Sequence, residues 1–260
     1  MKTKQYIQIA FICFAAMIGL TFNSCKKDTP APTPTPAPGT IAFHLHTNVD
    51  TAEVDTYGST YALSSGRKIT VNIAQLYLSG IQLVKLDGST VDVPGVIVFK
   101  KQQNEVYTIG SVASGNYQTV KFNIGLDAPI NAATPAASDS TLNQPSMWFG
   151  ATAQPLGFTF VNFQGTIDTT TAGTGTLLYP YSYKIGTAAN VGRVTMPVQN
   201  YTISPGQVTF VHMIIDYNKL FNGIQLNVNS NLTMNTNAAN ATPLGIQISH
   251  NIPAMFRYEY

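Results

Sequence analysis

The sequence predicts an all-β protein, an antiparallel β-sandwich of Greek-key type with about nine to eleven strands and one or two short helices. Three observations predict it. Apolar residues recur with a two-residue period in one segment after another. Gly, Pro, Asn and Asp punctuate those segments at even spacing, and no long 3.6-residue period interrupts them.

The first 24 residues stand apart from this pattern. Lys2 and Lys4 form a positive n-region, residues 7–20 an apolar run, and Phe22-Asn23-Ser24 leads into Cys25. The run is shorter than the roughly 20 residues a membrane-spanning helix requires. It reads as a secretory signal, with Cys25 placed as in a bacterial lipobox to carry lipid after cleavage. Phe22 stands where leucine is usual. The expected address is the outer membrane of a Gram-negative cell, with the chain held to the membrane through Cys25 and the exposed face left open. Residues 25–38 read CKKDTPAPTPTPAP, with proline at 30, 32, 34, 36 and 38. Alternate prolines favour polyproline II and remove sheet donors, so this segment is a semi-rigid spacer of roughly 40 Å.

The domain is expected over residues 39–260. Its first strand reads Gly39-Thr-Ile-Ala-Phe-His-Leu-His-Thr-Asn48, in which Ile41, Phe43 and Leu45 alternate with Ala42, His44 and His46. Residues 68–79 alternate with a change of phase near Gln75, which suggests a bulge. Residues 81–86 run into Asp87-Gly88, a hairpin turn signal, and residues 91–93 return. Short strands follow at 96–99 and 106–109, and 117–126 carries Val120, Phe122, Ile124 and Leu126 on one face. Residues 127–145 form a loop long enough to suggest a role of its own. Strands resume at 158–167, 177–185, 191–203 and 208–216, with short helical turns at 217–221 and around 243–251.

Composition narrows the function. Removing the first 24 residues takes Lys2 and Lys4 and no acid, so 12 basic and 12 acidic residues remain. Charged residues make up 10% of the chain, against about 25% in ordinary globular proteins. No basic patch with interleaved aromatics marks a nucleic-acid partner. Cys13 and Cys25 are the two cysteines, so the domain holds no thiol for a disulfide, a thiolate metal site or a nucleophile. No Ser/His/Asp spacing, phosphate-binding glycine loop or His-Glu-x-x-His motif is present, and no enzyme is expected.

Four histidines carry the remaining chemistry. His44 and His46 leave one side of the first strand roughly 6.5–7 Å apart, a span that two imidazoles can close around one metal ion. The alternative is a polar outer face on which two histidines happen to alternate with core residues. His212 shares its phase with Val208, Phe210, Ile214 and Asp216, which favours a buried, hydrogen-bonded structural histidine over a ligand. His250 ends the short helix near 251, where histidine often caps. Asp50, Glu53 and Asp55 offer oxygen ligands or a solvated loop. Trp148 lies in a Met-Trp-Phe cluster whose default role is packing, with an oxidisable role as the alternative.

The order of motifs resembles the MbnP-like family, the copper-binding proteins associated with methanobactin. The carrying residues are Gly39-Thr-Ile-Ala-Phe, Leu76-Tyr-Leu-Ser-Gly-Ile-Gln-Leu, Gly115-Asn-Tyr-Gln-Thr-Val-Lys-Phe-Asn-Ile-Gly-Leu-Asp and Met147-Trp-Phe. Gly157-Phe-Thr-Phe-Val-Asn-Phe-Gln-Gly, Tyr183-Lys-Ile-Gly, Asp216-Tyr-Asn-Lys-Leu-Phe-Asn-Gly and Asn251-Ile-Pro-Ala-Met-Phe complete the series, from about residue 39 to 257. The resemblance implies a secreted or lipid-anchored β-sandwich that binds copper through imidazoles, His44, His46, His212 and His250 being those available. In some members a tryptophan oxidised to kynurenine assists, a place that Trp148 or Phe149 would take. Relatives commonly carry histidine where this chain has Lys184, and a histidine pair where it has Arg257-Tyr-Glu-Tyr260. Two functions are therefore expected: copper capture or storage at the envelope, or a non-catalytic binding module that has lost the metal.

Overall fold

A computed structural model of the chain describes residues 36–259. The signal segment, Cys25 and the spacer up to residue 35 lie outside the described residues. Within them, β1 (Gly39–Val49) turns into the two-residue β2 (Ala52–Glu53). β3 (Thr60–Ala62) and β4 (Lys68–Thr70) form a small hairpin before β5 (Ile73–Lys85). Asp87-Gly88 then returns the chain into β6 (Thr90–Asp92), with Gly88 at a positive φ of 84° as the tight turn requires. β7 (Val98–Lys100), β8 (Val106–Val112) and β9 (Gly115–Ile124) follow. The long loop contains one helical turn, α1 (Ala128–Asn131), capped by the Asp127 carboxylate accepting from the Ile130 N–H. The remaining strands are β10 (Thr159–Ile167), β11 (Tyr179–Gly186), β12 (Gly192–Thr195), β13 (Tyr201–Ile203), β14 (Val208–Asp216), β15 (Thr233–Met234) and β16 (Phe256–Tyr258). A 3₁₀ turn at Tyr217–Phe221 and the helix α2 (Pro243–Asn251) stand where the sequence places short helices.

These strands form the expected all-β sandwich. A five-stranded sheet runs β16-β14-β1-β2, with β8 also paired to β1, and an eleven-stranded sheet is built around β12-β9-β5-β10-β11-β15. Most pairs are antiparallel. The β1–β14 pair, however, is parallel, a direction that strand periodicity does not encode. The described residues hold sixteen strands because eight have only two or three residues, too few to show a period. The change of phase expected at Gln75 has a different origin. Gln75 sits in regular register opposite Asn162, whereas the strand is interrupted at Val71-Asn72, between β4 and β5. The β5–β9 ladder slips between Ser79 and Gln82, where Gly80 adopts a φ of 57°.

The two sheets meet over one aromatic-rich core. Ile41, Phe43 and Leu45 of β1 are fully buried. The Phe43 ring lies 6.1 Å from Phe122 of β9, and Phe256 packs edge-on against the same ring at 5.1 Å. On the other flank Phe163 stacks on Tyr217 at 4.5 Å. Gly165 of β10 admits no side chain, because a Cβ there would collide with the Thr70 carbonyl. Each such buried ring contributes roughly 1.5–3 kcal/mol, which lets the domain stand without a disulfide.

In β14 the structure reverses the expected phase. Val211, Met213 and Ile215 face the core, while Val208, Phe210 and His212 point outward, with Phe210 48% exposed. Both faces of this strand are apolar, so alternation alone could not choose between them. The register with β1 decides it: Phe43 pairs with Val211 and Leu45 with Met213, all on the inner face. His212 is therefore not a buried structural residue.

Candidate metal centre

The site sits on the outer face of the five-stranded sheet, and each of its residues is placed by backbone pairing. Burial of Ile41, Phe43 and Leu45 sends His44 and His46 outward together. Parallel register sets His212 directly opposite His44. The C-terminal strand β16 buries Phe256 and Tyr258, which aims Glu259 to the outer side; its N–H donates to the His212 carbonyl at 3.2 Å. Glu105 stands just before β8, its carbonyl accepting from the Leu45 N–H at 2.9 Å. Glu53 pairs with Asn48 across the β1–β2 turn.

The side chains converge. His44 Nδ1 lies 2.9 Å from His212 Nδ1, with the rings 4.8 Å apart, and the His44 and His46 rings are 4.3 Å apart. His44 Nε2 is 3.3 Å from Glu105 Oε2. His46 Nδ1 is 2.5 Å from Glu53 Oε1 and 3.8 Å from Glu105 Oε1. Glu259 Oε2 lies 3.4 Å from His46 Nε2 and 3.5 Å from His212 Nδ1. His44, His46, His212 and Glu259 each offer a donor atom within 4.8 Å of the others, and so do His46, Glu53 and Glu105.

Electrostatics mark His46 as the centre. Its side chain is 14% exposed, and burial alone would lower its pKa. The hydrogen bond with Glu53 and the charges of Glu53, Glu259 and Glu105 outweigh burial and hold it above the ordinary value. Its Nε2 is buried and makes no hydrogen bond. Lys100 is buried nearby, its Nζ donating to the Asn104 carbonyl at 2.8 Å and the Lys101 carbonyl at 3.3 Å. Burial lowers its pKa to about 8, opposed by the charges of Glu105 and Glu53.

The other candidates lie elsewhere. His250 is exposed on α2, outside both donor groups. Trp148 is nearly buried in a second aromatic cluster with Tyr77, Phe99, Met147, Phe158 and Phe160, and its indole N–H donates to the Leu142 carbonyl at 3.2 Å. The long loop thus serves to cover this cluster. Lys184 donates to the Trp148 carbonyl at 3.0 Å, and burial lowers its pKa. Asp50 donates its N–H to the Asp216 carboxylate at 2.8 Å rather than joining the histidines. Sequence reasoning offered Glu53 as an oxygen donor but missed Glu105 and Glu259. The signal for Glu259 was its spacing from buried Phe256, three residues along in an extended segment and so on the opposite, outer face.

Three imidazoles and a carboxylate on a half-exposed sheet face are a nitrogen-rich set suited to a borderline divalent ion. His46 Nε2, buried and with only the ion-pair contact to Glu259 beside it, fits such an occupant, since it makes no hydrogen bond that an ion would have to break.

A sequence model of the family described as MbnP matches residues 38–238. The fold superposes on that of MbnP from Methylosinus trichosporium with a TM-score of 0.55 and 14% sequence identity, over 84% of this chain and 97% of that one. No curated protein sequence matches the chain.

Proposed function

Since the chain belongs to the MbnP family, we propose that it binds copper through His44, His46, His212 and Glu259, and that it captures or stores the ion while held to a membrane by lipid on Cys25. The observation that carries this reading is the 2.9 Å approach of His44 Nδ1 to His212 Nδ1, from strands 168 residues apart in sequence. With metal–nitrogen bonds of about 2.0 Å, adjacent corners of a square plane are about 2.8 Å apart and those of a tetrahedron about 3.3 Å. The observed 2.9 Å, the length of an ordinary hydrogen bond between the two rings, lets both nitrogens reach one ion with little movement. Where relatives carry a C-terminal histidine pair, Glu259 supplies a carboxylate to the same face.

The chain's own residues do three things here. The sheet fixes the imidazoles, so little side-chain freedom is lost on binding. His46 must release its proton for its nitrogen to bind, so affinity rises with pH through its raised pKa. Glu259 contributes negative charge beside two rings at once. The test is a copper(II) titration of the tag-free chain in detergent. The His44→Ala/His212→Ala pair should weaken the first bound equivalent at least about 100-fold. Unchanged affinity would remove the proposed site. A metal-free binding module is the second reading, favoured by Lys184, which puts a cation where relatives carry an imidazole. It requires that the wild-type chain bind no copper at all.

A further inference from the structure

We propose that His46 bridges two metal positions, the second being a divalent-cation site formed by His46 Nδ1, Glu53 and Glu105. This rests on the copper reading of the first position and adds a second ion to it. The two donor groups share one residue, and that residue faces them with opposite edges of its ring. Nδ1 meets Glu53 at 2.5 Å and Glu105 at 3.8 Å, while Nε2 lies 3.4 Å from Glu259. A neutral imidazole offers a lone pair at one nitrogen only, whereas the imidazolate offers one at each. Binding a second ion would displace the proton now lying between His46 Nδ1 and Glu53, and that proton leaves to solvent.

Glu105 ties the positions together. Its Oε2 approaches His44 Nε2 at 3.3 Å while its Oε1 faces His46. The charge balance agrees. Glu53, Glu105 and Glu259 bring three negative charges to this face, and among the described residues their ion-pair partners are the histidines alone. Buried Lys100 returns one positive charge to Glu53 and Glu105. With neutral rings the group stays net negative, a deficit that a single proton on His46 offsets in part. One nitrogen and two carboxylates make a harder donor set than the first position, suited to copper(II), zinc or manganese(II).

The test is a titration of the full tag-free chain in detergent with copper(II) alone, read by bound metal after gel filtration and by paramagnetic resonance. The first equivalent should give an ordinary cupric signal. A second should bind, and coupling through the bridging ring should then reduce the integrated signal to under about half of its one-equivalent value. The Glu53→Gln/Glu105→Gln variant, whose side chains are 41% exposed and outside the core, should bind one ion with the full signal retained. Saturation of the wild type at one histidine-dependent equivalent would overturn the bridge and leave the copper reading standing. A second ion with an additive signal, unaffected by the glutamine changes, would also overturn it. No bound copper would refute both.

Discussion

At the scale of single residues, the site is legible where it depends on one strand and hidden where it depends on two. His44 and His46 declare themselves by alternation with Ile41, Phe43 and Leu45. His212 does not, because Val208 and Phe210 are as apolar as Val211 and Met213, and only pairing with β1 chooses the outward face. Glu105 enters through a backbone bond to Leu45, which no local pattern announces. His46 yields a prediction for the metal-free chain. Its pKa is raised in the folded state, so protonation adds stability that is complete below the unfolded value near 6.5 and is lost as pH rises through the raised value. The partner carboxylates are about 40% exposed, which limits the gain to below about 1 kcal/mol. The stability advantage of the wild type over His46→Gln, measured by urea unfolding, should therefore shrink as pH rises from the unfolded value near 6.5 through the raised folded value. An advantage that grows over this range would contradict the glutamate-supported ring.

At the scale of elements, β16 is the piece on which the site depends most for its size. It pairs with β14 over three residues, Phe256, Arg257 and Tyr258, yet it sets the position of Glu259. Phe256 anchors it by packing edge-on against Phe122. Phe256→Ala should cost about 3 kcal/mol of stability and weaken copper binding at the same time, because the strand carrying Glu259 loses its inward anchor. Glu259→Gln should weaken binding about tenfold and leave the unfolding midpoint within about 0.5 kcal/mol of wild type. Equal loss of affinity and stability in both variants would show that the carboxylate acts only through the fold. The strand itself was hard to read from sequence because three residues after a helix are too few to establish a period. The hairpin at Asp87-Gly88 and the helical turns at 217–221 and 243–251 were readable because turn and cap chemistry is local.

At the scale of the whole molecule, the sandwich was predictable from the density of alternating segments, while its pairing was not. Which strands become neighbours, and that β1 and β14 run parallel, follows from the joint burial of two sheets rather than from any single window. The absence of cysteine from residues 39–260 fits a core of stacked aromatics that needs no crosslink. The proline spacer and Cys25 belong to this scale too, as the proposed tether. Cys25→Ser should move the chain from the membrane fraction to the soluble fraction without altering its circular dichroism. Persistence in the membrane fraction would remove the lipid from the proposal.

The parallel pairing of β1 with β14 brings the opening of the domain against its close. A partly made chain owns His44 and His46 long before His212, and the last carboxylate, Glu259, follows the final strand. An ion gripped there would act as a clasp on finished molecules: it would reward the closed form by RT ln(1 + [L]/Kd) and pass over every unfinished one.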